Sequence, residues 1–169
     1  MDRWRGRLVA GLAVAALLVA VTAAAAVVAG DGGTRWVVVR DGLGSELART
    51  ALPPSGELAL RYRNSVYESM AEERFTVDGG HLDLVDLRAN ELAVLEEYYT
   101  ATGAVRQGPG GAFAWGVEVE RPPVELPLHV RATTLGQRTL VAGDEEIELW
   151  RLVAGRDDSL VVLTVEGSE

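Results

Sequence analysis

The tightest constraint on this chain lies before residue 31. An uncharged, Ala/Val/Leu-rich run extends from Leu8 to about Gly30 and is preceded by Arg3, Arg5 and Arg7. An α-helix needs about 20 apolar residues to cross about 30 Å of hydrocarbon. The run therefore predicts one N-terminal transmembrane or signal helix over 1–30, with a separate domain over 31–169. Basic residues ahead of the run and Asp31 behind it place the N-terminus inside and the rest outside the cytoplasm. Two fates compete for the segment. Small residues over 23–26 suit signal cleavage, which leaves a secreted domain. The apolar run, however, is longer than a signal core of about 7–15 residues and continues through Val27 and Val28, which favours a retained anchor. A buried helix is the third reading.

Composition narrows what the exported part can be. There is no cysteine, so packing alone must hold it together, and thiol nucleophiles and thiolate metal sites are excluded. All 16 basic residues are Arg, the pattern expected of a GC-rich genome. The net charge of −9 argues against a nucleic-acid partner, because phosphate binding needs a basic patch to release counterions. Three of the arginines precede the apolar run, so the exported part is still more acidic.

Strand signals recur from end to end of 31–169. Residues 36–40 are a β-branched run centred on Val37, Val38 and Val39, and 57–62 alternate with Leu58, Leu60 and Tyr62 on one face. Phe75 and Val77 close a strand before Asp78-Gly79-Gly80, a hairpin turn, and Leu82, Leu84 and Leu87 follow. Further strands are expected over 92–99, 113–119, 124–130, 139–141, 147–153 and 160–165. The 91–99 stretch is the one place where helical spacing competes, through Leu92, Leu95 and Tyr99. Residues 103–111 read as the longest loop. Closely spaced strands without amphipathic helices between them predict an all-β fold, an antiparallel β-sandwich or barrel-like domain.

Few constellations could carry chemistry. His81 and Asp83 would share a strand face, but one imidazole without a nearby second His or any Cys makes a poor metal site, and no metal is expected. Glu72 and Glu73 are adjacent, so in a strand they point to opposite faces and cannot form a dyad. One of them faces inward and needs a partner, which Arg61 or Arg63 on the preceding strand would supply as a structural ion pair. The Gly108–Gly111 stretch lacks the strand–turn–helix context of a phosphate loop. No Ser sits in a G-x-S-x-G frame, and His129 lies beside Pro127 without an evident nucleophile. No catalytic set and no cofactor is predicted. Tyr62, Tyr67, Tyr98, Tyr99 and Trp115 could line a ligand pocket, but such residues mostly belong to the core of a small β domain.

Arg63-Asn64-Ser65-Val66, then Glu73, Phe75 and Val77, then 80–84, resemble the DUF1850 family. There a strand with a His-Ser-Val-like element is followed by a Glu and an aromatic. A later aromatic–Ser/Thr run leads to a Gly-Ala pair, matched here by Tyr99-Thr100 and Gly103-Ala104. The resemblance covers roughly 58–108. Asn64 stands where the family usually has His, so a role needing imidazole protonation is in doubt while hydrogen bonding survives. The family consists of small exported proteins of undetermined biochemical function, often encoded beside TAXI-type TRAP transporters. The resemblance thus implies an accessory or solute-handling role; with the apolar run and the missing catalytic set, the chain reads as a membrane-anchored, non-enzymatic accessory protein whose partners are the membrane, through residues 8–30, and TRAP transporter subunits. The alternative is an independent extracytoplasmic module binding small organic acids. The ligand-binding candidates are Asn64, Ser65, Tyr67, Glu73 and Tyr99. For Asn64 and Ser65 a strand-end hydrogen bond, and for Glu73 an ion pair, is the competing structural role.

Overall fold

Short aliphatic and β-branched runs divided by tight turns give twelve strands among the described residues of the computed structural model, which are 33–98, 103–108, 113–119 and 121–167. The apolar run 8–30 and Tyr99 lie outside them. No helix among the described residues is long and apolar enough to cross a membrane.

The strands are β1 (Trp36–Asp41), β2 (Glu46–Ala51), β3 (Glu57–Arg63), β4 (Met70–Asp78), β5 (His81–Ala89), β6 (Arg106–Gln107), β7 (Trp115–Glu118), β8 (Val124–Glu125), β9 (Leu128–Arg131), β10 (Thr139–Ala142), β11 (Glu145–Glu148) and β12 (Leu160–Glu166). They form two sheets. One runs β2-β1-β12-β9; the other runs β11-β10-β3-β4-β5-β7-β6, with β8 also paired to β5. Every pairing among them is antiparallel, so the all-β expectation holds.

The β4–β5 hairpin follows directly from Asp78-Gly79-Gly80. Asp78 pairs with His81, which leaves the two glycines as the turn, and Gly79 takes a φ of 56° that a side chain would resist. Val37 and Val39 of β1 and Val161 and Leu163 of β12 share one core with Leu58, Leu60, Phe75, Val77, Leu82 and Leu140 of the larger sheet. A second core cluster lies farther along the larger sheet, where Tyr62, Ala71, Leu87 and Ala89 meet Val94, Leu95 and Val117.

Several segments differ from the sequence expectation. Residues 94–98, expected as strand, form a π-helical turn, Val94–Tyr98. Val94 and Leu95 are adjacent and both buried, which a strand with one solvated face cannot achieve. The 147–153 run splits into the end of β11 and a short helix α1 (Leu149–Leu152), which buries Leu149 and, four residues on, Val153 against the main core. The 124–130 run divides at Pro127, which has no N–H for a ladder, and its halves β8 and β9 join different sheets. β2 was not expected, since Glu-Leu-Ala-Arg-Thr-Ala carries little β-branched or aromatic signal; it is an edge strand held by pairing with β1. The expected 103–111 loop contains β6, which pairs with Trp115 and Gly116 of β7.

Candidate functional site

Asn64 follows β3 directly and is 3% exposed. Its N–H donates to Ser69 O at 2.8 Å, and its Oδ1 accepts from the N–H groups of Val66 (2.9 Å) and Tyr67 (3.1 Å). A short polar side chain folding back on the next turn is what makes Asn a turn former. It closes the loop 64–69, which leaves Ser65 exposed and puts Glu68 at a φ of 53°, an uncommon conformation for a residue with a Cβ. Glu68 reaches back to Arg63 at 3.3 Å. The Ser69 hydroxyl is buried without a hydrogen-bond partner.

Tyr67 packs against the second core cluster and donates its phenol to Glu97 Oε2 at 2.5 Å. That bond to a carboxylate favours the neutral phenol and raises its pKa above the ordinary value. The loop 64–69 is thereby tied to the π-helical turn. A second turn lies alongside: Arg63 N–H donates to Gly136 O at 2.8 Å, and Gln137 takes a φ of 45°. Arg138 follows, with its guanidinium 4.8 Å from the Tyr62 ring centroid and 3.6 Å from Glu73.

Glu72 and Glu73 do diverge. Glu73 shares the Leu60 and Leu87 rung on the inner face, between the two core clusters, and its arginine is Arg138 rather than Arg61 or Arg63. Glu72 lies on the opposite face, is 6% exposed, and faces Arg61 and Arg88 across its two strand pairings. Arg61 binds it through Nε and the guanidinium tip, both at 3.1 Å, reaches Glu146 at 2.7 Å, and lies 5.9 Å from the Phe113 ring. The structural ion pair expected from the sequence is therefore present, and Phe113 rather than an inward orientation accompanies its burial.

Asn64, Ser65 and Tyr67 thus come together in one loop, and Glu73 joins them through Arg138 and Tyr62. Tyr99 lies outside the described residues. Arg138 and Glu97 were not foreseen; their roles depend on contacts between segments far apart in sequence. His81 is exposed at the far end of β5, and among the described residues no three His, Cys, Asp or Glu side chains are grouped to hold a metal. The arrangement supplies hydrogen bonds, an aromatic-stacked guanidinium and two turns with residues in left-handed conformations. Such conformations persist only where their surroundings over-determine them, and they cluster at active sites, ligand clamps and switch regions. Comparison of the chain with protein-family models, curated proteins and solved structures gave no match.

Proposed function

We propose that this chain is an extracytoplasmic β-sandwich module, held at a membrane by residues 8–30, that serves a TRAP-type transporter of the TAXI class as a non-enzymatic accessory protein. One observation carries the reading: the described part of the segment resembling DUF1850 builds the loop end at which β3 exits. Loop 64–69, the π-helical turn and the Tyr67–Glu97 bond all belong to it. The Asn64 departure fits as well, because Asn supplies the two acceptor bonds that close the loop without a titrating group. The test is purification of the full chain in mild detergent from cells that express it. Retention of a TRAP-type permease is expected, and its clean absence sinks the reading.

Binding of a small organic acid is the second reading, favoured by one feature. Arg138 is stacked on Tyr62, yet holds Glu73 at only 3.6 Å, so a ligand carboxylate could compete for it. Thermal-shift measurements with a panel of carboxylic acids separate the two. Stabilisation lost in Arg138→Ala supports the binding module, and a flat response with every acid ends it.

A further inference from the structure

The most exposed large aliphatic side chains among the described residues are Leu43 (95%), Val66 (71%) and Leu135 (60%). Single exposed aliphatics need no explanation, but these three lie at one end of the domain. β1 runs towards Leu43 and pairs with β12, which starts at that end; β9 also finishes there, where Ala132 N–H bonds Ser159 O. Arg63, the last residue of β3, bonds Gly136 in the turn that carries Leu135, and Asn64 opens the loop that carries Val66. Arg35, at the start of β1, lies at the opposite end.

The three tips share a local design that the sequence repeats: Asp41-Gly-Leu43, Asn64-Ser-Val66 and Thr133-Thr-Leu135. Each opens with a residue whose side-chain oxygen holds the turn that presents the aliphatic. Asp41 Oδ1 accepts from Leu43 and Ser45 N–H at 3.0 and 2.9 Å, and Asn64 Oδ1 accepts from Val66 and Tyr67. Thr133 Oγ1 accepts from Gly136 N–H at 3.1 Å, while its carbonyl accepts from Gln137 N–H at 2.9 Å. Exposed apolar groups on turns held this way lose little conformational entropy on docking, which is the benefit of preorganisation.

We propose that this end of the domain docks a folded protein whose surface presents an apolar patch bordered by Arg and Lys; this rests on reading the chain as a contact module. Charge selects the occupant. Exposed Glu68, Glu91, Glu96, Glu97, Asp157 and Asp158 lie at this end, against Arg63, Arg131, Arg138 and Arg156, of which Arg63 is engaged by Glu68, Arg138 by Glu73 and Arg156 by Asp41. Beyond residue 30 the chain carries 13 arginines against 24 carboxylates. Anionic lipid would be repelled by such a rim, and so would a second copy of the same end. A basic protein rim is complementary to it and would be steered towards it.

The test places photoreactive benzoylphenylalanine singly at positions 43, 66 and 135 of the full chain in the cells that express it, with Val85 and Val124 in strands as controls. All five sites are exposed, so folding is expected to be kept, and the melting curve of each variant verifies it. The expected result is one protein adduct from all three tips, in yield about tenfold above the controls, with the linked peptide rich in Arg or Lys beside aliphatics. Glu68→Lys with Asp157→Lys is expected to lower that yield several-fold, as is raising the salt to about 0.5 M. Adducts to lipid alone, to a second copy or to an acidic peptide overturn the proposal, as do control yields equal to the tips or no adduct. If the adducted protein is not a transporter component, the transporter reading fails while the docking end stands. If the permease co-purifies without tip-specific adducts, the reverse holds.

Discussion

Glu72 and Glu73 are neighbours in β4, yet breaking the ion pair of each should have very different consequences. Glu72 is almost fully enclosed, and its carboxylate depends on Arg61. Arg61→Ala would strand a buried charge, at a cost of about 3 kcal/mol, the lower end for breaking a buried pair because Arg61 itself is partly exposed. The double variant Arg61→Met with Glu72→Met should regain most of that loss, because neither charge then needs solvation. Glu73→Gln, on a longer and wetter pair, should cost under about 1 kcal/mol. Urea denaturation of the three variants gives the comparison; equal losses in Arg61→Ala and Glu73→Gln would contradict the burial argument. Asn64→Ala should cost about 1–2 kcal/mol, because Val66 and Tyr67 N–H both lose their acceptor. Asn64→His should cost less than Asn64→Ala, since a ring nitrogen can accept one of the two bonds. A His variant as unstable as the Ala variant would show that both bonds are needed.

The β1–β2 turn, as an element, carries its own pH dependence. Asp41 has its pKa lowered, first by the Ser45 N–H bond, against an opposing contribution from burial, and further by Leu43 N–H and Arg156. A depressed carboxyl pKa means stability that is present above the unfolded value of about 3.9 and lost as pH falls through the folded value. Acid titration of the melting temperature should therefore steepen below about pH 4. Asp41→Asn keeps an acceptor for the turn but loses the ionic contact, so it should flatten that limb. An unchanged acid limb would remove Asp41 from the account. Elements of this kind were legible in the sequence wherever alternation or turn chemistry was local: β1, β3, the Gly79–Gly80 hairpin, β10 and β12. The π-helical turn was not, because Leu92, Leu95 and Tyr99 fit a helix while the surrounding strands argued for another. β2 escaped because its stability is borrowed from β1. For the candidate site, Asn64, Ser65 and Tyr67 could be singled out as ligand candidates at the end of a strand, but Arg138 and Glu97 reach it through contacts between distant segments that no short window contains.

At the scale of the whole molecule the question is which electrostatic effect dominates. The outer faces are laced with arginine–carboxylate contacts, including Arg40 and Arg49 with Glu46 and Glu166, and Arg74 and Arg88 with Asp86. Exposed pairs of this type contribute about 0–1 kcal/mol each. The surplus of 24 carboxylates over 13 arginines beyond residue 30 acts over longer distances and opposes the folded state throughout. Salt discriminates between the two by distance. At about 0.1 M the screening length is about 10 Å, which removes much of the surplus repulsion while leaving contacts near 3 Å comparatively intact. Sodium chloride, raised from about 0.02 to 0.3 M, should therefore increase the melting temperature, by about 2–4 °C if the repulsion relieved is about 1 kcal/mol. A fall over the same range would mean that the outer-face pairs outweigh the surplus, and Arg49→Ala should then destabilise strongly at low salt.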